Sequence, residues 1–163
     1  MIQTKRLTLI PPSDNDWFML CDLWRDAEAR RYLGGIYSEE KITQRITSLK
    51  QHWIAYQFGH FSVYETYSKK LLGLCGLTHS DDGVELSYVF FPKYWGNGYA
   101  VEAGKAILKY GFDELKLERI VAITQDKNEK SWKMLEKLGM KFVERMIRFG
   151  ETQRIYTHYS NRT

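Results

Sequence analysis

Gly96 and Gly98 stand one residue apart in the stretch Pro92–Ala103, PKYWGNGYAVEA. An apolar, strand-like run precedes them and a helical pattern follows. Glycines at such a junction let the backbone take positive φ and keep Cβ atoms away from anything that approaches the amides. The unpaired N–H groups and the dipole at a helix start attract an anion, phosphate above all. The alternative is a strand-to-helix turn that holds nothing. Among phosphate loops, a Walker loop needs G-x-x-x-x-G-K-[ST], whereas Gly104-Lys105 is followed by Ala106 and the glycine before it sits at the wrong spacing. A dinucleotide fingerprint needs G-x-G-x-x-G early in a parallel sheet, but Val101 holds the third glycine position and hairpin-like strands come first. A third candidate is an acyl-coenzyme A loop, with the amides of Gly96, Asn97, Gly98, Tyr99 and Ala100 turned toward a pyrophosphate; the loop alone leaves it open beside the empty turn.

A second motif lies downstream in Asn128–Met140, NEKSWKMLEKLGM. Asn128 is a residue type that caps a helix, Ser131 places a hydroxyl in the first turn, where it can also bond its own helix, and Gly139 is placed to stop the helix. Together the two motifs resemble the GNAT acyltransferase superfamily. Its loop pattern, Q/R-x-x-G-x-G/A, falls on Trp95 to Ala100 with Trp95 in the Gln/Arg place. Within that superfamily the chain resembles the ribosomal-protein N-terminal acetyltransferases, which share the YWGxGYAxEA segment, an N-x-x-S helix start and an EKLG helix end. The resemblance spans nearly the whole chain, including the T-x-R-L-x-L strand that begins at Thr4.

The resemblance implies transfer of acetyl from acetyl-CoA to a primary amine by direct attack in a ternary complex. In that fold a bulge splays the strand before the loop from its parallel neighbour, and the pantetheine arm enters between them. The matching positions are Val89, Phe90 and Phe91, with an amide near Phe90 as the oxyanion donor. Many members place a tyrosine acid where this chain has Leu135. Ser131, one turn earlier, is the substitute, and Asn128 would hold a water or the pantetheine arm. Glu85, on the strand before the loop, is the candidate base acting through water. An α-amine, with a pKa of about 7.7–8.0 against about 10.4 for lysine, needs only a mild one. A protein or peptide N-terminus and a small amine are both open as acceptors. The competing reading is a non-catalytic acyl-CoA-binding module.

These residues need elements to position them. Arg6–Pro11 alternates like a strand. Trp17, Leu20, Cys21, Trp24 and Ala27 recur at helical spacing after a cap at Ser13 or Asp14, up to Gly34 and Gly35. Ser38 caps a second helix striped by Ile42, Ile46, Leu49 and Trp53. Period two then marks strands at 60–65, 71–77 and 84–91, joined by loops short enough for antiparallel hairpins. A helix follows the glycine loop, Arg119–Thr124 is a buried strand, residues 128–138 form a helix, and 141–147 and 154–160 close the chain as strands around Gly150. The expected fold is α/β in a single domain over 1–163: a mixed, mostly antiparallel sheet with one parallel β-α-β unit and helices on both faces.

Bulk properties narrow the classes. At 163 residues, 44% hydrophobic and 27% charged, the chain can bury a core without metal or disulfide staples. Four scattered histidines without H-E-x-x-H argue against a metal site. Cys21 and Cys75 stand alone, and no leader-like or membrane-length apolar run occurs, so a cytoplasmic location is expected. The net charge of +4 comes without a basic block, so nucleic acid is not an expected partner; a homodimer is left open.

Overall fold

The computed structural model describes residues 1–161. Among these, strands β1 (Ile2–Gln3), β2 (Leu7–Ile10), β3 (His60–Glu65), β4 (Leu71–Ser80), β5 (Gly83–Phe90), β6 (Arg119–Gln125), β7 (Lys141–Arg148) and β8 (Glu151–Tyr159) form one sheet. Its order is β1-β2-β3-β4-β5-β6-β8-β7. Every neighbouring pair is antiparallel except β5 and β6. The helices are α1 (Asp14–Arg25), α2 (Glu39–Tyr56), α3 (Tyr99–Asp113) and α4 (Glu129–Lys137).

The helices cover both faces, as expected. Trp17, Leu20, Leu23 and Trp24 of α1 and Ile42 and Leu49 of α2 pack with Leu71 and Leu74 on one face. Ala103, Ile107 and Leu108 of α3 and Met134 and Leu135 of α4 pack on the other, against Leu77, Leu86 and Ile120. Each fully buried leucine contributes about 1.5–3 kcal/mol relative to exposure. Asp16 locks α1 onto the sheet: it closes a capping box with Ser13 and accepts from Ser62 Oγ at 2.9 Å and from the Tyr64 hydroxyl.

Several boundaries differ from the sequence reading. Helix α1 stops at Arg25 rather than running to the glycine pair, because Asp26 leaves the helical region and its Oδ1 accepts from the Ala29 amide at 2.8 Å. A short polar side chain that offers its own backbone bond competes with the helix. Ala27 therefore lies outside α1, and 26–35 is a sequence of turns. The β4–β5 hairpin is tighter than expected, since His79, Ser80 and Gly83 belong to the strands. Strand β1, two residues long, has too little pattern to read. The last strand begins at Glu151 and lies between β6 and β7.

Candidate active site

The parallel pair β5–β6 is in register at one position, Glu85↔Val121. Beyond it, β5 stays with β4 without a break from Gly73↔Phe90 to Ser80↔Gly83, while β6 follows β8 through Gln125↔Gln153. The two strands diverge and leave a gap alongside residues 86–90. The expected bulge is not what opens it, since β5 shows no register shift against β4; each strand simply follows its antiparallel partner, with its stronger ladder. The Phe91 amide donates to Leu72 O at 2.9 Å, so Phe91 and, by alternation, Val89 turn their N–H groups toward β4. Tyr88 and Phe90 turn theirs toward the gap. Of the stretch Val89–Phe91, only Phe90 therefore offers an amide there, and its side chain is buried in the core. The Phe90 carbonyl is occupied by the Trp95 indole N–H at 2.9 Å.

The glycine loop follows a short 3₁₀ turn, Pro92–Tyr94. Gly96 and Gly98 take φ of +79° and +76°, and a Cβ at Gly96 would meet no protein atom within 4 Å. Gly98 caps α3 without a side-chain bond. Among the described residues, the N–H groups of Gly96, Asn97, Gly98, Tyr99 and Ala100 donate to no protein acceptor. Their carbonyl side is held instead. Arg6 Nη1 donates to Asn97 O at 2.8 Å, Arg6 Nε pairs with Glu102 at 2.7 Å, and the guanidinium lies 4.6 Å from the centre of the Tyr99 ring. The Asn97 side chain donates to Tyr94 O and Trp95 O at 3.1 and 3.2 Å. Free amides, open space over Gly96 and a helix start together fit a diphosphate. Arg6 is a part of this corner that the sequence reading passed over.

Ser131 and Asn128 sit at the start of α4. Asn128 Oδ1 accepts from the Ser131 amide at 3.3 Å, so that oxygen caps the helix. Ser131 Oγ lies 2.6 Å from the Tyr88 hydroxyl, a bond that reaches from β5 to α4 past the diverging strands. Burial, the largest cause, pushes the Tyr88 phenol up to about 12. Leu135, in the place of the family tyrosine, is buried among apolar residues. A tyrosine does meet Ser131, but from the strand. Tyr88 was legible only as a cleft or core aromatic.

The other face of β5 carries different chemistry. Glu85 lies in the field of Asp82, Arg148 and Arg45 and within reach of the Ser80 hydroxyl, and burial raises its pKa ahead of all other causes. Ser87 Oγ is 2.6 Å from His60 Nε2. His60 is buried and held neutral, its pKa lowered to about 3, mainly by desolvation. A cavity of about 190 Å³ opens here, with Ser87, Tyr88 and Val89 along one wall and Trp24, Leu49 and Arg45 from α1 and α2 opposite. A larger groove of about 540 Å³ lies between Met1–Thr4 and the outer face of α3. It touches neither β5 nor the free amides, so the smaller cavity is the one beside the gap. Glu85, Val89 and Phe91 thus belong to the α1–α2 side, and Ser131 and Asn128 to the α3–α4 side. Among the described residues no cluster of three or more His, Cys, Asp or Glu could hold a metal, and no helix is long and apolar enough to cross a membrane.

Comparison with known proteins agrees with this geometry. Residues 6–141 match the model of the acetyltransferase (GNAT) domain. The chain is 30% identical over 152 residues to the uncharacterized N-acetyltransferase YnaD of Bacillus subtilis, covering 86% of this chain and 82% of the relative. It superposes on a GNAT-family acetyltransferase from Bacillus anthracis with a TM-score of 0.83 and 28% identity, over 97% of both chains. It also shares the fold of spermidine N-acetyltransferase from Vibrio cholerae, solved with CoA and spermine, with a TM-score of 0.82 and 18% identity over 96% of this chain and 97% of the other.

Proposed function

This chain belongs to the GNAT acetyltransferase family and is an acetyl-CoA-dependent N-acetyltransferase, and from that premise we propose that it acetylates a small primary amine held in the cavity beside Ser87. The observation that carries the proposal is the divergence of β5 and β6 next to a loop of unpaired amides, with a cavity opening on the far side of the same strand. A drug-sized ligand needs a pocket of roughly 300–1,000 Å³, so about 190 Å³ favours a small acceptor over a deeply inserted peptide. The narrower likeness to the ribosomal-protein acetyltransferases leaves a protein N-terminus as the second acceptor, entering by its first residue.

When bound, acetyl-CoA supplies a thioester whose C–S bond breaks as the amine N–C bond forms, the sulfur leaving with the electron pair. The amides of 96–100 would hold the diphosphate, and the Phe90 N–H would hydrogen-bond the acetyl oxygen. Glu85 takes the surplus amine proton through water; its burial moves its pKa toward the amine's and makes it a better base than an exposed carboxylate. Tyr88 and Ser131 present hydroxyls on the thiol side. A phenol near 12 does not give its proton to a thiolate whose conjugate acid is near 8.5, because that transfer is uphill by more than about three powers of ten. Tyr88 therefore acts as a hydrogen-bond donor that steadies the leaving sulfur, with Ser131 orienting it.

The test is thiol release. The protein is incubated with acetyl-CoA and a panel of amines and peptides, and free CoA is measured with a thiol reagent. Amine-dependent release with small amines preferred to peptides supports the proposal. Release with peptides alone would overturn the small-acceptor assignment.

A further inference from the structure

Arg45 is a half-buried guanidinium that forms no hydrogen bond or ion pair among the described residues. It sits on the inward stripe of α2, between Ile42 and Leu49, both buried. Buried or half-buried arginines are normally paired. Arg30, 7% exposed, lines the same cavity. It donates to Gly35 O at 2.8 Å and to Leu33 O and stacks on Tyr37 at 4.2 Å, so its partners are carbonyls and a ring rather than a carboxylate. The cavity lining contains these two arginines and no Asp or Glu. The charged and titratable groups in the field of Arg45 are Tyr37, Arg30 and Glu85, with His52 and His60 feeling its charge in return. Glu85 is the acid among them, and among the described residues it makes no ion pair within 4.0 Å.

We infer that the acceptor is a small amine that also carries an anionic group, a carboxylate or phosphate, which Arg45 binds with help from Arg30 while the amine faces Glu85 and Ser87. The inference rests on the acetyltransferase reading and names its substrate class. An anion supplies the partner that Arg45 lacks. The same two cations lower the pKa of an amine brought beside them, which favours its neutral, attacking form. The apolar wall of Trp24, Leu49 and Leu74 suits a short hydrocarbon body between amine and anion. Polyamines, which bring only positive charge, meet a cavity of like sign.

The experiment compares matched pairs as acceptors: 4-aminobutyrate with 4-aminobutyramide, L-leucine with L-leucinamide, and 3-aminopropyl phosphate with 3-aminopropanol, with spermidine as the cationic arm. The expected kcat/KM is at least tenfold higher for the anionic member of one carboxylate or phosphate pair, and which pair responds identifies the anion. Arg45→Gln should collapse that ratio toward one, mainly through KM, and Arg45→Lys should keep part of it. The CoA Kd, measured on the same samples, reports that the variants are folded. Ratios near one in the wild-type protein, or spermidine as the best acceptor, would overturn the inference. If CoA binds and no amine turns over, the acetyl-transfer reading fails by itself. Calorimetric titration of N-acetyl-leucine against N-acetyl-leucinamide into the CoA complex then decides the anion site: equal affinities overturn it, and a tenfold preference for the carboxylate sustains it. Should Arg45→Gln not fold, the wild-type ratios and Arg45→Lys still decide.

Discussion

Replacing Gly96 by alanine separates the cost of backbone strain from the cost of blocking a ligand, because the chain contains a matched control. Gly96 and Gly150 have φ of +79° and +75°, and at neither does an added Cβ meet a protein atom within 4 Å. Gly150 lies in the β7–β8 turn and Gly96 in the loop before α3. An L-residue in the left-handed region costs roughly 1–2 kcal/mol, partly offset by the lower chain entropy of alanine in the unfolded state, about 0.4–1 kcal/mol. Both variants should therefore lose about 1 kcal/mol, or about 2–4 °C in Tm for a chain of this size.

Coenzyme A distinguishes them. If the Gly96 Cβ projects into the space of a diphosphate, Gly96→Ala should weaken CoA at least tenfold, about 1.4 kcal/mol, while Gly150→Ala stays within about twofold of wild type. At a CoA concentration of about 100 times the wild-type Kd, the wild-type protein and Gly150→Ala gain about 2.7 kcal/mol of stability, and Gly96→Ala about half of that. Calorimetry with CoA and thermal melts on the same samples read both quantities. Equal CoA affinity in the two variants would refute the placement of the diphosphate, whatever the melting temperatures do.

Three further changes probe the rest of the site. Glu85→Gln should lower kcat by about a hundredfold or more, the range of lost base catalysis, and leave the CoA Kd in place; unchanged turnover across pH removes Glu85 from the mechanism. Its stability effect has a definite sign. Burial raises the folded pKa of Glu85, so the native state holds its proton more tightly than the unfolded chain, and stability falls as pH rises from about 4.3 through the folded value. Glu85→Gln should thus be relatively more stable than wild type at pH 7 than at pH 4 in urea melts. Tyr88→Phe and Ser131→Ala each leave one hydroxyl of the 2.6 Å pair without its partner, at about 1–3 kcal/mol. The double variant should cost less than the sum, with a coupling of about 0.5–3 kcal/mol in stability and a non-additive loss in kcat. Additive effects would mean that the pair does not act as a unit.

Where a feature depends on local chemistry, it can be read from the residues. The caps at Ser13 and Ser38, the period-two strands and the glycine loop before α3 are of this kind, and the parallel crossover follows from the order of elements. Tertiary choices are less visible. Ala27 continues the apolar spacing of α1, yet Asp26 ends the helix as its side chain accepts from the Ala29 amide. The strand order β6-β8-β7 depends on which hairpin arm reaches the open edge of β6. Arg6 is an ordinary polar residue in sequence and becomes the clamp on Asn97 only because β2 lies beneath the loop. Arg45 did leave a signal: a cation at an inward helical position, between Ile42 and Leu49, is the kind of local inconsistency expected at functional or strained sites. Tyr88 left none that separated it from a core aromatic, since its partner is 43 residues away.

The two halves of the chemistry are separated by the pleat of one strand. Along β5, Leu86 and Phe90 point into the α3–α4 core and Tyr88 reaches α4, whereas Ser87 and Val89 point to the α1–α2 side. On the proposed mechanism the thiol side and the amine side lie on opposite faces, with the gap between β5 and β6 joining them. A slip of one residue would exchange the faces, and the unbroken pairing of β5 with β4 from Gly73↔Phe90 to Ser80↔Gly83 prevents it. The parallel contact is confined to Glu85↔Val121, because further pairing would close the gap and less would free β5 from its neighbour. On the proposed mechanism, the position of that single pair sets how far along β5 an acyl arm can enter. It leaves Glu85 at the closed end of the gap, and the Tyr88 and Phe90 amides along its open part.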